Sequence, residues 1–250
     1  MHRFYLSPEQ TQGAVLTLAG QEAAHAIKVL RLQAGDAAVV LNGAGDCIDC
    51  RVQETSRQEA VLKVVSRQHV TPLPYRITLL QGIPKGKIME AIIQKATELG
   101  VSRLVPLLAE RTTIHLAGDS LEAKTEKWRT VAREAIKQCG APWLPTIETP
   151  ATISEFLARG ERFDFPLVAS LQSGSRPLRE YFRTVSDEQR HGLRSLGVWV
   201  GPEGDFTPAE MQNIQQSGAR PVTLGRLVLR CETAALYCLS VLNHEMQAVS

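Results

Sequence analysis

Two stretches of the chain place charged and hinge-forming residues just beyond a strand, where an α/β protein holds its ligand. In the first, Leu196, Val198 and Val200 read as a buried strand that runs into Gly201-Pro202-Glu203-Gly204-Asp205. The two glycines let the backbone pass close to a bound molecule, and Pro202 stiffens the turn between them. A helix starts at once, with Thr207 as N-cap, Pro208 at the first helical position and Glu210 closing a capping box. In the second, Pro221–Leu224 reads as a short strand ended by Gly225, and Arg226 to Cys231 lead to Glu232 and an apolar helix. Carboxylates and guanidinium groups at such exits are able to exchange protons or hold charge. An ordinary strand-to-helix connection would show the first pattern as well.

Other candidates are weaker. Gly82-Ile83-Pro84-Lys85-Gly86-Lys87-Ile88 lies between a strand and a helix as a phosphate-binding loop does. It has three residues between its glycines where that loop needs four, and Ile88 replaces the magnesium-binding Ser or Thr. Gly43-Ala44-Gly45 has only the first two glycines of a dinucleotide fingerprint. Cys47 and Cys50 have the spacing of half a zinc site, but no second pair exists and the six histidines are scattered. The alternation around them reads as a strand, so no metal site is expected.

Composition is that of a globular protein, with 44% hydrophobic and 22% charged residues over 250 positions. No apolar run reaches the ~20 residues that span a bilayer, and Met1 to Pro8 lacks a signal-peptide core, so a cytoplasmic protein is expected. The net charge is +2, and residues 1–74 balance 7 Lys and Arg against 7 Asp and Glu. No segment forms the basic block of a general nucleic-acid binder.

The elements that must position these loops fall into two groups. Strands are expected at Arg3–Leu6, Val15–Leu18, Ala37–Leu41, Cys47–Gln53 and Ala60–Val65, with one helix from Gln21 to Leu32. Five short strands in so few residues indicate a small barrel. Thr71-Pro72-Leu73-Pro74 is the expected boundary, giving domains 1–72 and 73–250. Beyond it, strands at Arg76–Leu80, Arg103–Leu107, Pro166–Leu171 and Leu196–Val200 alternate with helices at Lys85–Leu99, Thr125–Cys139, and from about Thr207 and Glu232. That alternation indicates a mostly parallel sheet, hence an α/β fold. The last helix is apolar over more than one face and needs burial on several sides.

The segments "VGPEGDFT" and "TLGRLVLRCETAAL" resemble the C-terminal half of the SPOUT methyltransferases. More narrowly they resemble the RsmE family, which methylates N3 of a uridine in 16S ribosomal RNA using S-adenosylmethionine. Leu79 to Thr112, His2 to Leu6 and His25 to Asp36 match the same family, so the resemblance covers nearly the whole chain. It implies a SPOUT-type α/β domain with a trefoil knot, and a small N-terminal PUA-like β-barrel used for RNA. It also implies a homodimer with 16S ribosomal RNA, in the small subunit or its assembly intermediate, as partner. An RNA-binding module without catalysis, or a methyltransferase acting on another RNA, would carry much of the same pattern.

By the same resemblance, S-adenosylmethionine would be held by Leu107 and Leu108 at one strand exit, by Gly201, Pro202, Glu203 and Gly204, and by Leu224, Gly225, Leu227, Val228, Leu229 and Thr233. These leucines would equally suit a core, since cofactor pockets are lined mostly with core-like residues. N3 of uracil carries a proton at neutral pH, so a carboxylate must accept it and a cation must hold the resulting charge. The acidic candidates are Glu203, Glu232 and Asp205 and the cationic ones Arg230 and Arg111, with Arg230 favoured as the charge stabiliser and Glu232 placed beside it at the helix start. Lys28, Arg31 and Arg51 are the candidate RNA contacts, the first two expected to share a helix face. Two positions depart from the family: Asp205 where another glycine is usual, and Leu227 where an arginine is common.

Overall fold

The computed structural model describes residues 1–112 and 119–247, in two compact units. The first unit holds Met1–Pro72 and Arg133–Leu144, and the second holds Leu73–Ala132 and Pro145–Ser250.

In the first unit, β1 (His2–Tyr5), β2 (Val15–Leu18), β3 (Ala37–Leu41), β4 (Asp46–Thr55) and β5 (Ala60–His69) form one sheet in the order β1-β3-β4-β5-β2. The described ladder leaves β1 and β2 as the two ends of this sheet. Phe4, Leu16, Leu18, Val40, Ile48 and Leu62 fill its core. Cys47 and Cys50 lie on β4 as free thiols, and burial pushes that of Cys50 up to about 11.

The helix is shorter than its sequence pattern. α1 (Gly20–Ala24) gives way to a π turn over His25–Val29, closed by the Leu30 amide on the His25 carbonyl. Arg31 then takes φ 54, so the helix has ended before it, and Lys28 and Arg31 do not share a helix face.

In the second unit the chain runs β6 (Arg76–Gly82), α2 (Ile88–Glu98), β7 (Arg103–Leu108), α3 (Asp119–Cys139), β8 (Thr146–Ile147), β9 (Ala151–Thr152), α4 (Ile153–Ala158) and β10 (Phe165–Ala169). It continues through β11 (Arg176–Pro177), α5 (Leu178–Arg183), α6 (Asp187–Gly192), β12 (Ser195–Val200), α7 (Pro208–Gln216), β13 (Arg220–Thr223) and α8 (Cys231–Gln247). The strands pair in the order β11-β13-β10-β12-β6-β7-β8, all in parallel, with β9 also on β7. Central β6 and β12 are buried on both faces, which is why they read as continuous apolar runs rather than alternating ones.

Helices cover the sheet through apolar stripes. On α2, Met89, Ile92, Ile93 and Ala96 recur at helical spacing and are buried. On α8 the buried residues Cys231, Ala234, Ala235, Cys238, Leu239, Leu242 and Met246 follow a single stripe against α2, β6 and β12. Off that stripe, Leu236 and Val241 are half-buried and Tyr237 is 45% exposed. Among the described residues no helix is long and apolar enough to cross a membrane.

Candidate active site

β6, β12, β10 and β13 lie side by side, so the loops leaving their carboxyl ends meet at one edge of the sheet. The β12 exit is the glycine-framed turn. A Cβ on Gly201 would stand 2.7 Å from Asp205 Oδ1 and 3.0 Å from its Cα, so only glycine fits there. The Asp205 amide closes the turn on the Pro202 carbonyl at 2.9 Å, and Asp205 itself adopts φ 57. That left-handed backbone is the physical reason a glycine suits this position, and aspartate is among the few other residues that visit it. Thr207 caps α7, and the Glu210 carboxylate accepts from the amides of Thr207 and Glu110.

Three ties bind this turn to its neighbours. Register aligns Gln81 with Val200, and the fully buried Gln81 side chain donates to the carbonyls of Gly82, Val200 and Gly201. The Lys85 amide donates to Glu203 Oε1 at 3.0 Å. Arg111 donates to the Gly204 carbonyl at 2.7 Å, and its stem packs on Gly204.

The β13 exit is the leucine-rich loop. Gly225, at φ 123, turns the chain, and Thr223 hydrogen-bonds around it. Leu227 and Val228 are then left 78% and 77% exposed. Arg230 precedes α8 and is exposed, and Glu232 lies in the first turn of that helix, where a carboxylate suits the dipole. Cys231 Sγ donates to Glu232 Oε2 at 3.4 Å. Burial, reinforced by that carboxylate, pushes the Cys231 thiol up to about 12, so it is no nucleophile. Burial also raises the Asp205 carboxyl, against the opposing bond from the Phe206 amide.

Together these loops enclose a cavity of about 490 Å³. It gathers eleven of the residues singled out from sequence: Gly201, Pro202, Glu203, Asp205, Leu224, Gly225, Leu227, Val228, Leu229, Arg230 and Glu232. Leu107, Leu108, Gly204, Thr233 and Arg111 do not line it. Leu107 is fully buried in the core beneath, Thr233 faces out from α8, and Arg111 acts on the turn from behind. Lys28, Arg31 and Arg51 are exposed on the first unit, where Arg51 donates to the Gly35 carbonyl.

Sequence reading missed Ile88, Ala169, Ser170, Leu171, Val200, Cys231 and Ala234 as lining residues. The signal available for Ala169 to Leu171 was their position at another strand exit. The volume suits a drug-sized molecule, the walls are largely apolar, and glycine backbone stands where a Cβ would intrude. Those features fit a nucleoside-type cofactor such as S-adenosylmethionine. Among the described residues no group of His, Cys, Asp and Glu is placed to hold a metal ion.

The RNA methyltransferase domain family matches residues 71–243, and the RNA methyltransferase PUA domain matches residues 18–65. The Ribosomal RNA small subunit methyltransferase E of Synechocystis sp. (strain ATCC 27184 / PCC 6803 / Kazusa) is 32% identical over 97% of this chain and 77% of its own. Its namesake in Bacillus subtilis (strain 168) is 29% identical over 99% of this chain and 98% of its own. The crystal structure of the Neisseria gonorrhoeae protein of that name, bound to S-adenosyl methionine, has a TM-score of 0.85 at 26% identity, covering 98% of this chain and 97% of that one. With the strand-exit pocket and both domain matches in register along one chain, the protein belongs to the ribosomal RNA small subunit methyltransferase E family.

Proposed function

We propose that this protein methylates N3 of a uridine in 16S ribosomal RNA, using S-adenosylmethionine as donor. The observation that carries the reading is the single cavity in which the Gly201–Gly204 turn meets the Leu224–Leu229 loop, with Arg230 and Glu232 on its wall. When bound, S-adenosylmethionine supplies an electrophilic methyl group on a sulfonium. Leu224, Leu227, Val228 and Leu229 would wall its adenine, and Gly201 to Gly204 would give it backbone at close range.

The chain's own residues then prepare the nucleophile. Uracil N3 can take a methyl group only after losing its proton, and Glu232 is assigned to accept it. Arg230 is assigned to hold the negative charge that spreads onto the flanking carbonyls. Arg111 is a positioning residue in this scheme, since its guanidinium is engaged by the Gly204 carbonyl.

Domain roles follow the same reading: residues 1–72 as a PUA-like, barrel-type RNA-binding domain, with Lys28, Arg31 and Arg51 as contacts, and residues 73–250 as a SPOUT domain whose last helix completes a trefoil knot. The protein works in the cytoplasm as a homodimer. Support for the dimer is the apolar surface left by Leu171, Leu227, Val228 and Tyr237, all between 45% and 78% exposed.

Mass spectrometry of 16S RNA from cells lacking the protein should show one N3-methyluridine missing, and purified protein with S-adenosylmethionine should restore it. Full methylation in those cells would overturn the reading. Calorimetric absence of S-adenosylmethionine binding would leave an RNA-binding module.

A further inference from the structure

The loop from β6 to α2 is only partly used by the donor pocket. Gly82 abuts Pro202 and Ile88 lines the cavity, but Lys85 and Lys87 do neither. We propose that Lys85 and Lys87 form a grip for RNA phosphates at the mouth of the pocket, holding the backbone beside the base to be methylated. This rests on the methyltransferase reading above.

Placement comes first. The Lys85 amide is bonded to the carboxylate of Glu203, which lines the cavity, and Ile88 follows Lys87 directly. Both lysines therefore flank the opening. The loop is also held rather than loose. Ile83 is 1% exposed and donates its amide to the Leu107 carbonyl at 2.9 Å, and Pro84 is buried. Gly86 reverses the chain at φ 62 with nothing within 4 Å of its Cβ position, leaving the space between the lysines open. Groups presented from a fixed loop lose less freedom on binding.

Charge is the deciding observation. Neither ammonium has a hydrogen-bond or ion-pair partner among the described residues, and both side chains are exposed. The other lysines of this unit are engaged: Lys95 with Glu98, Lys127 with Glu90, and Lys124 over the Trp128 ring. The opposite lip carries Arg226 and Arg230, also exposed and without side-chain partners among the described residues. Uncompensated cations on both lips of an opening favour a polyanion. The loop lacks the glycine spacing and the hydroxyl of a nucleotide cradle, so the anion it suits is a phosphodiester chain passing across it.

The test is the salt dependence of binding to 16S RNA prepared from cells lacking the protein. Each lysine that releases a counterion contributes ~0.7 to 0.9 to the log–log slope, so Lys85→Gln with Lys87→Gln should lower it by about 1.5. S-adenosylmethionine affinity should stay at the wild-type value, and Lys85→Arg with Lys87→Arg should keep the wild-type slope. An unchanged slope in the glutamine variant overturns the grip, and so does a loss of S-adenosylmethionine affinity, which would assign the lysines to the donor. Wild-type protein that binds RNA but no S-adenosylmethionine would instead overturn the enzymatic reading on which the grip depends.

Discussion

Gly82→Ala separates a pocket built by two touching loops from one that merely lies near them. The backbone of Gly82 is outside the left-handed region, so alanine brings no torsional penalty there. The obstacle is steric. Its Cβ would stand 2.5 Å from Pro202 Cδ and 2.7 Å from Pro202 N, whereas ordinary contact begins at 3.4 Å, so one loop must retreat by about 0.9 Å. Neither gives easily: Gly82 is pinned in the β6 ladder beside β7, and the pyrrolidine ring of Pro202 has no rotamer to change. Overpacking of this kind costs about 1–3 kcal/mol, or roughly 3–10 °C of melting temperature for a chain of this size. A displacement near 1 Å in a binding turn is worth on the order of 10²-fold. Calorimetry should therefore show S-adenosylmethionine affinity falling by about that factor. Gly100→Ala is the control: its φ of 77 strains alanine by about 1–2 kcal/mol, yet nothing lies within 4 Å of the new methyl. It should lower the melting temperature and leave affinity intact. Wild-type affinity in Gly82→Ala, or an equal loss in Gly100→Ala, would refute the reasoning.

Further outcomes follow from the same geometry. Arg230→Ala should lower kcat by about 10²–10³-fold, the usual loss for one charge-stabilising donor. Its melting temperature and S-adenosylmethionine affinity should hold, because the side chain is exposed. Asp205→Gly relieves the φ of 57 and removes a half-buried carboxyl, at the cost of the bond to the Phe206 amide. Methylation should persist, and loss of turnover with intact donor binding would transfer the base role to Asp205. Because burial raises that carboxyl, the folded chain keeps its proton to higher pH than the unfolded one. Wild type should thus shed stability relative to Asp205→Gly as pH rises from about 4 through the raised value. Asp164 has the opposite sign: the Arg194 amide, then the Ser195 hydroxyl and amide, hold its carboxyl below the usual range. Asp164→Ala should therefore melt below wild type at neutral pH, with the gap closing as pH falls below about 4.

What the sequence makes legible is what local physics decides. The Thr207 capping box with Pro208, the stripe of Met89, Ile92, Ile93 and Ala96, and the buried run of β12 all follow from residues a few positions apart. The π turn at His25–Val29 is a choice among helical hydrogen bonds that side-chain periodicity does not distinguish, so Lys28 and Arg31 read as neighbours on a face that the backbone does not form. Arg111 shows the same limit at the site, because a cation three residues beyond β7 carries no mark of which carbonyl it will meet. Strand order is the largest omission. In sequence the exits come as β6, β10, β12 and β13, yet in space β10 lies between β12 and β13. Only that order brings Ser170 and Leu171 into the wall and sets Gln81 level with Val200. A glutamine in an otherwise apolar strand then acquires a purpose: it ties two loops that the chain separates by 119 residues. Each tie is weak in a sequence and decisive in a fold, because a turn carrying no ladder of its own is held only by the neighbours that topology supplies.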